Sequence, residues 1–328
     1  MIWLTWRQHR KQFLYTAIAL IVLAAVLLPT GLSMHHVFTD SGLAACLAKV
    51  STSPVVSQNA DTCGQLSNEF ARQFNSMGFI GILFLILPAL VGLFYGAPLV
   101  AREVENGTHR FVWTQGVSRR RWALTKFGLI GAAVLILAAA YTFGGDWWSG
   151  PLVANGGRMG YFVFDFQGIA PIGYTLFAVA LGILVGTLSR KVLPAMAVAL
   201  AGYAVVRVPI EAFARPHYQS PLAASFPIDS TDQFNPANGA WVSSQGIVNA
   251  AGKLVQADAE MTCGGASGGG SCGGQLVQQG LGPAPFSNWE QYQPAGRFWE
   301  FQGIETGIFL ALTAILVYLA VRRVRGIS

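Results

Sequence analysis

The chain has 328 residues, of which 53% are hydrophobic and only 11% are charged. A soluble domain carries about 25% charged residues, so this composition argues for one membrane domain with loops rather than for two soluble domains. The net charge of +6 is no case for nucleic acid, because most basic residues lie in short segments that flank long apolar runs.

The N-terminal residues 1–11, MIWLTWRQHRK, can form a short amphipathic helix, or they can be only a basic flank of the first span. Residues 13–32 follow without a charge, and 20 residues is the length that crosses ~30 Å of hydrocarbon. A cleaved signal peptide has a shorter apolar region of ~7–15 residues that ends in small residues. We therefore predict an uncleaved first span.

Five further apolar runs predict membrane spans, at residues 77–100, 127–143, 169–188, 192–210 and 304–321. Basic residues cluster between the second and third spans, in the turn after the fourth span and in both tails. Such residues mark the cytoplasmic side of a membrane protein. The sequence thus predicts an all-α integral membrane protein with six spans, both termini in the cytoplasm and a single transmembrane domain over residues 1–328.

Small residues recur four apart in two of these spans, as Gly92 with Gly96 and Gly182 with Gly186. This spacing allows helices to approach closely, although glycines also occur by chance in apolar segments. We predict that both pairs lie at helix–helix contacts.

The outer segments are polar and differ in length. In the predicted outer loop 144–167, Trp147 and Trp148 are expected to anchor the chain at the interface. Residues 212–299, between the fifth and sixth spans, predict an extracytoplasmic loop or a small lid. Within them, residues 241–255 show two short β-prone runs around a turn, which is typical of a hairpin. A loop of this length is usually functional or disordered, and the sequence leaves both open.

All four cysteines lie in predicted outer segments: Cys46, Cys63, Cys263 and Cys272. Disulfides persist in oxidising compartments, so this placement supports the topology independently of the charges. Four cysteines allow three pairings. Pairing within each segment closes short loops, so we predict Cys46 with Cys63 and Cys263 with Cys272.

Charged residues are nearly missing from the predicted span centres. Arg207 and Glu211, four apart near the outer end of the fifth span, are interpreted as a local ion pair rather than a substrate site. The scarcity of charge argues against an ion-driven mechanism and for an apolar or amphipathic cargo. Aromatic residues are generic candidates for its path, although helix packing explains them equally well: Phe84, Phe94, Tyr95, Tyr141, Tyr174 and Tyr203.

Motifs for chemistry are weak. No Gly-x-x-x-x-Gly-Lys-Ser/Thr sequence occurs, so ATP hydrolysis is not expected in this chain. Residues 265–269 match G-x-S-x-G, but they lie in a glycine tract without the strand and helix that a nucleophile elbow needs. His35 and His36 with Asp40 lack a third firm metal ligand, and polar residues at the interface are the better interpretation. We expect no catalytic residues and no metal site.

The segment around which the chain is organised is residues 101–126, with six of the 21 Lys and Arg residues. Glu103 and Glu105 stand where a helix should end, and three arginines follow Ser118, a plausible N-cap of the next helix. Each charge opposes its own helix dipole, at a cost of about 0.3–1 kcal/mol when exposed. Lipid phosphates account for the arginines. A positively charged protein partner would account for the acids.

The residues of this segment carry a resemblance. Glu105-Asn106-Gly107-Thr108, followed by TQGVSR at residues 114–119, resembles the loop after the second span of type-2 ABC exporter permeases. Residues 96–103 and 292–299, with Gln302 and Glu305 following, are similar to an actinobacterial branch of that family. The chain departs from the family pattern at Val104, where a basic residue is usual, and near Gly116, where proline is frequent.

The resemblance implies the permease half of an ABC exporter in the plasma membrane: two six-span units around a central path, above two separate ATPase subunits that carry ATP and Mg. It implies docking of the ATPase on the coupling loop, which comprises Arg102, Glu103, Glu105, Gly107 and Thr108. The partners would be that ATPase, a second or homologous permease, and membrane lipid. The cargo would be a drug, antibiotic, peptide or lipid that leaves the cytoplasm or inner leaflet. The alternatives are a sensing or receptor module of the same fold and, least favoured, an intramembrane enzyme.

Overall fold

The computed structural model describes residues 2–50, 55–57, 61–107, 118–160, 163–189, 191–229, 232–234, 239–261 and 272–325. Within these residues, six helical segments are long and apolar enough to cross a membrane: Arg10–Asp40, Cys63–Glu105, Arg119–Gly156, Ala170–Ser189, Val192–His217 and Ala295–Val324. The prediction of six spans is therefore confirmed.

Helix α1 (Ile2–Asp40) is one continuous helix, so the N-terminal residues and the first span are not separate elements. The first outer segment, between the first two predicted spans, is largely helical in its described residues. Helix α1 continues to Asp40, and helices α2 (Leu43–Val50) and α3 (Asp61–Phe74) follow. The reason is that α3 is amphipathic: its Phe70 and Phe74 are buried while its polar face is exposed.

The second span consists of α4 (Gly78–Val91), a π-helical turn (Gly92–Gly96) and α5 (Ala97–Glu105). Pro98 has no N–H to donate to the carbonyl of Phe94 four residues earlier. The side-chain amide of Gln12 on α1 donates to that carbonyl at 2.6 Å. The hydrogen bond from α1 therefore satisfies the carbonyl group of Phe94, which Pro98 cannot bind.

The third span is the 38-residue helix α6 (Arg119–Gly156), which is longer than the predicted 127–143. Trp147 and Trp148 lie on this helix and not in an outer loop. Trp148 is 1% exposed, and its indole N–H donates to Thr30 Oγ1 at 3.0 Å. Its role as an interfacial anchor is therefore wrong, because α1 approaches α6 closely at Gly31. Trp147 is 40% exposed and stacks on His35.

Helix α7 (Ala170–Ser189) is the most deeply buried of the six spans. The two glycine pairs face each other across its contact with the second span. A Cβ on Gly92 would lie 2.6 Å from the Cβ of Ala178, and one on Gly182 would lie 2.7 Å from the backbone nitrogen of Ala97. The prediction of close packing at these glycines is confirmed, because no larger side chain fits there.

The last spans are α8 (Val192–Pro209), which continues through short turns to His217, and α10 (Phe298–Arg325). Helices α5, α6, α8 and α10 place one terminus each at the same end of the bundle, which we name the basic end. There Leu99, Trp122 and Val324 share one apolar cluster. The topology prediction places the basic end in the cytoplasm.

The membrane part is helical as predicted. The segment between α8 and α10 forms a four-stranded sheet, of which the sequence predicted only the hairpin. Antiparallel strands stand in the order β2 (Leu222–Pro227), β6 (Ser287–Gln293), β4 (Trp241–Val248) and β5 (Leu254–Ala257). Two further short strands, β1 (Val55–Ser57) and β3 (Asp232–Phe234), pair with each other, and a short helix α9 (Cys272–Gln278) precedes β6.

The predicted hairpin is present as β4 and β5. In its turn the side chain of Asn249 accepts from the backbone N–H of Ala251 at 3.0 Å and of Lys253 at 3.1 Å. Gly252 has a φ of +70°, the left-handed conformation that glycine tolerates best. Asparagine and glycine are typical turn residues, which is why the hairpin could be predicted from the sequence.

Candidate functional site

Helix α5 ends at Glu105, and Asn106 and Gly107 of the coupling loop follow. Gly107 has a φ of +70°, and its N–H donates to the carbonyl of Val104 at 3.2 Å. This is the position after the C-cap, where glycine is preferred because it carries no Cβ. Thr108 lies outside the described residues.

Glu103 is held within the chain. Its Oε1 lies 2.5 Å from the ammonium of Lys126 on α6, and the two side chains are 12% and 5% exposed. The ammonium also lies 5.2 Å from the centroid of the Trp122 ring. A buried cation needs a partner of opposite charge, so Glu103 neutralises Lys126 at the contact between α5 and α6.

Glu105 is exposed, and its Oε2 accepts from the backbone N–H of Val192 at 3.0 Å. Val192 is the first residue of α8, where free N–H groups and the positive end of the helix dipole favour an anion. Glu105 therefore lies unfavourably at the negative C-terminal end of α5 and favourably at the positive N-terminal end of α8.

Both acids, Glu103 and Glu105, have partners inside the chain, so no positively charged protein is required to explain their positions. Docking of an ATPase on the coupling loop stays a prediction. Exposed residues at the basic end include Arg102, Arg120, Arg121 and Lys191, so the described surface at this end is mainly basic. Ser118 caps α6 as predicted, since its Oγ accepts from the N–H of Arg121 at 3.3 Å.

Four charged residues form a buried group at the end of the bundle opposite the basic end. We name Asp165, Arg207, Arg215 and Glu305 the charge cluster; their side chains are 5%, 8%, 1% and 0% exposed. Arg215 donates to Glu305 through Nη2 at 2.8 Å and through Nε at 2.9 Å, a bidentate pair. Arg207 Nη1 donates to Glu305 at 3.2 Å, and both arginines contact Asp165.

Two tyrosines complete the group. The hydroxyl of Tyr174 on α7 donates to Glu305 Oε1 at 2.7 Å, and the guanidinium of Arg207 lies 4.1 Å from the centroid of its ring. Tyr218 donates to Glu305 Oε2 at 3.5 Å. Burial, and then the Glu305 carboxylate, raises the pKa of the Tyr218 hydroxyl above its usual range, so that it stays a neutral donor.

Gln302, one turn before Glu305, ties α10 to the start of α7. Its Oε1 accepts from the N–H of Ile169 at 3.0 Å and of Ala170 at 2.7 Å, and its Nε2 donates to the carbonyl of Phe164 at 3.0 Å. The charge cluster and Gln302 together join the segment before α7, the end of α8 and the beginning of α10. They act chemically as a fixed junction of three spans.

The predicted pair of Arg207 and Glu211 is present at 3.4 Å, but it belongs to this larger group. Spacing along one helix made that pair visible in the sequence. Glu305 is 98 positions from Arg207, and no local pattern joins them. The sequence signal for Gln302 and Glu305 was the run at residues 292–305, which contains both and is similar to the family named above.

An apolar groove of about 330 Å³ lies between α1, the second span and α6. Three of the predicted path residues line it: Phe94, Tyr95 and Tyr141. The other three, Phe84, Tyr174 and Tyr203, are at most 9% exposed and pack between helices. Of the six, Phe94 is 53% exposed, whereas Tyr95 and Tyr141 are 7% and 4% exposed and reach the groove with only a small part of their surface.

Cys46 and Cys63 are joined in a disulfide with their Cα atoms 5.7 Å apart, which links α2 to α3. Cys263 lies outside the described residues, so its predicted pairing with Cys272 stays a prediction. His36 Nδ1 lies 2.9 Å from Asp40 Oδ2, and His35 Nε2 lies 2.9 Å from the carbonyl oxygen of Trp147.

Six apolar helices, with basic residues gathered at one end of the bundle, define a multi-pass membrane protein. The sequence model of one family, described as ABC-2 membrane transporter related, matches residues 17–215, more than half of the chain. The chain belongs to this family. Comparisons with curated proteins and with solved structures gave no match.

Proposed function

We propose that this chain is the permease subunit of an ABC exporter, which moves an apolar or amphipathic cargo outward from the cytoplasm or the inner leaflet. The observation that carries the proposal is the family match over residues 17–215. A separate ATPase subunit supplies the energy through its own ATP and Mg, and a second or homologous permease completes the path.

Coupling begins at the end of α5. Residues Arg102, Glu105 and Gly107 are exposed there, and an ATPase that moves during nucleotide closure can push on this end. Glu103 bonds α5 to α6 through Lys126, and Glu105 bonds α5 to α8 through Val192. A displacement of the loop therefore reaches three spans directly, whereas the charge cluster holds α7, α8 and α10 together at the other end.

The groove favours a cargo of low polarity. Tyr15, Leu20, Leu87 and Phe94 line it, and the described lining residues include no charged side chain. Such a surface binds apolar rings or chains by the hydrophobic effect, at about 25 cal/mol per Å² of apolar surface buried. Hydroxyl groups of Thr16 and Tyr95 bond to each other in the groove and provide a polar contact for an amphipathic cargo.

The test is ATP-driven accumulation of an apolar fluorescent dye in inside-out vesicles that contain the chain and its ATPase. Arg102→Glu should lower the accumulation at least fivefold, because it places an acid on the exposed docking surface without touching Lys126 or Val192. Arg72→Glu is the matched control, since Arg72 is also an exposed residue near the end of a helix but lies on α3. Equal dye accumulation by both variants would show that Arg102 does not take part in coupling.

A further inference from the structure

We propose that the groove between α6 and α10 at the basic end binds one anionic phospholipid. This groove has a volume of about 600 Å³ and is separate from the one that the proposed cargo uses. We name it the lipid groove. Its lining is Arg120, Leu124, Leu310, Thr313, Ala314, Val317, Tyr318, Val321 and Arg322.

The arrangement of polarity along the lipid groove matches a phospholipid. Arg120 is in the first turn of α6 and Arg322 is in the last turn of α10, so both charges stand at the basic end. Leu310 stands at the far end, twelve positions before Arg322. At 1.5 Å per residue this distance is about 18 Å. Half of a ~30 Å hydrocarbon core is about 15 Å, so the groove has the depth of one leaflet.

The charge at the mouth selects the headgroup. Arg120 and Arg322 are both exposed, and none of the described residues that line the groove is acidic. Arginine binds phosphate oxygens through its planar fork of donors. Basic pockets between membrane helices on the cytoplasmic side suit anionic headgroups. A zwitterionic headgroup would bring its own cation to the same two arginines and bind less well.

A second copy of the chain fits this surface poorly. In a two-fold dimer with its axis normal to the membrane, Arg120 and Arg322 of both copies would lie at the same depth, which gathers four arginines at one level of the interface. Like charges that face each other across an interface oppose association. An acyl chain, in contrast, fills the apolar part between Leu124, Ala314 and Val317 without adding charge.

Native mass spectrometry of the delipidated full chain, titrated with phosphatidylglycerol or phosphatidylcholine, tests the proposal. The parent should bind one phosphatidylglycerol with a clear preference over phosphatidylcholine. The double variant Arg120→Gln, Arg322→Gln should bind phosphatidylglycerol about 25-fold less tightly, at roughly fivefold for each arginine. Ala314→Trp should weaken both lipids, because the indole fills the apolar part of the groove.

The control is Arg121→Gln, Arg323→Gln, which removes the same charge from the next residue on each helix. It should keep the preference for phosphatidylglycerol. Equal losses in the two double variants would show only general surface charge and overturn the site. Equal binding of both lipids by the parent, or a dimer that lipid does not displace and Ala314→Trp abolishes, would overturn it as well.

Discussion

Substituting Glu305 with Gln tests the charge cluster most severely. Glu305 is fully buried and accepts from Arg215, Arg207 and Tyr174. Glutamine keeps the volume but removes the negative charge. Its amide oxygen could still accept from one N–H group of Arg215, but its NH2 group would face the other donor. Asp165 and Glu211 would remain near two buried guanidinium groups. Glu305→Gln takes away the bidentate carboxylate partner of Arg215. Breaking a buried ion pair in this way costs about 3–5 kcal/mol.

This cost is large against a total stability of about 5–15 kcal/mol. At roughly 2–4 °C for each kcal/mol, Glu305→Gln should lower the Tm by about 6–20 °C. The assay is thermal unfolding in mild detergent, followed by tryptophan fluorescence. Glu300→Gln on the same helix is the matched control, because Glu300 is exposed; its Tm should change by less than about 2 °C.

A double-variant cycle separates charge balance from packing. Arg207→Gln alone should also destabilise, but combined with Glu305→Gln it should cost less than the sum of the two, because one buried cation and one buried anion leave together. A Glu305→Gln protein that unfolds within 2 °C of the parent would refute the reasoning. Strict additivity of the two substitutions would show that the residues do not interact.

Three further predictions concern the two acids, the sheet and the topology. Glu103→Gln should lower the free energy of unfolding by about 3 kcal/mol, because it leaves Lys126 buried without its anion. Glu105→Gln should lower it by no more than about 1 kcal/mol. A larger loss for Glu105→Gln than for Glu103→Gln in thermal unfolding would contradict these contacts. Burial, and then the Glu260 carboxylate, raises the pKa of Glu290 to about 7 from 4.5. Between these two pH values the folded chain binds more protons than the unfolded chain, so the free energy of unfolding should fall as the pH rises from 4.5 to 7. Glu290→Gln should reduce this pH dependence in thermal unfolding at pH 5 and 8, and an unchanged pH dependence would exclude Glu290 as its source. A reporter active only in the cytoplasm should work after Gly116 or Ser328 and fail after Ala60 or Gly246, and reversal at any one site would contradict the six-span orientation.

The spans could be predicted because each is a long apolar run, and composition alone decides whether a helix enters a bilayer. Their ends could not, because a helix continues after its residues become polar. Residues 144–156 illustrate this: their polarity resembled a loop, yet they complete α6 and bury Trp148 against Thr30. The glycine pairs were correctly predicted, since close approach of helices excludes any larger side chain.

Electrostatic partners were the part that the sequence could not supply. Glu103 and Glu105 were judged against the dipole of their own helix, and both were found misplaced. The structure shows that each serves another helix, through Lys126 on α6 and Val192 on α8. Arg207 was matched to Glu211 because spacing of four is visible in a sequence, whereas Asp165, Arg215 and Glu305 join it only after the chain has folded.

Purification in mild detergent from the native membrane tests most directly whether this chain is a permease that works with a separate ATPase. The chain should retain an ABC ATPase in a one-to-one ratio, and the purified complex should hydrolyse ATP faster than the ATPase alone. Purification of the chain without an ATPase, or with a signalling protein in its place, would contradict the claim and favour the sensing alternative.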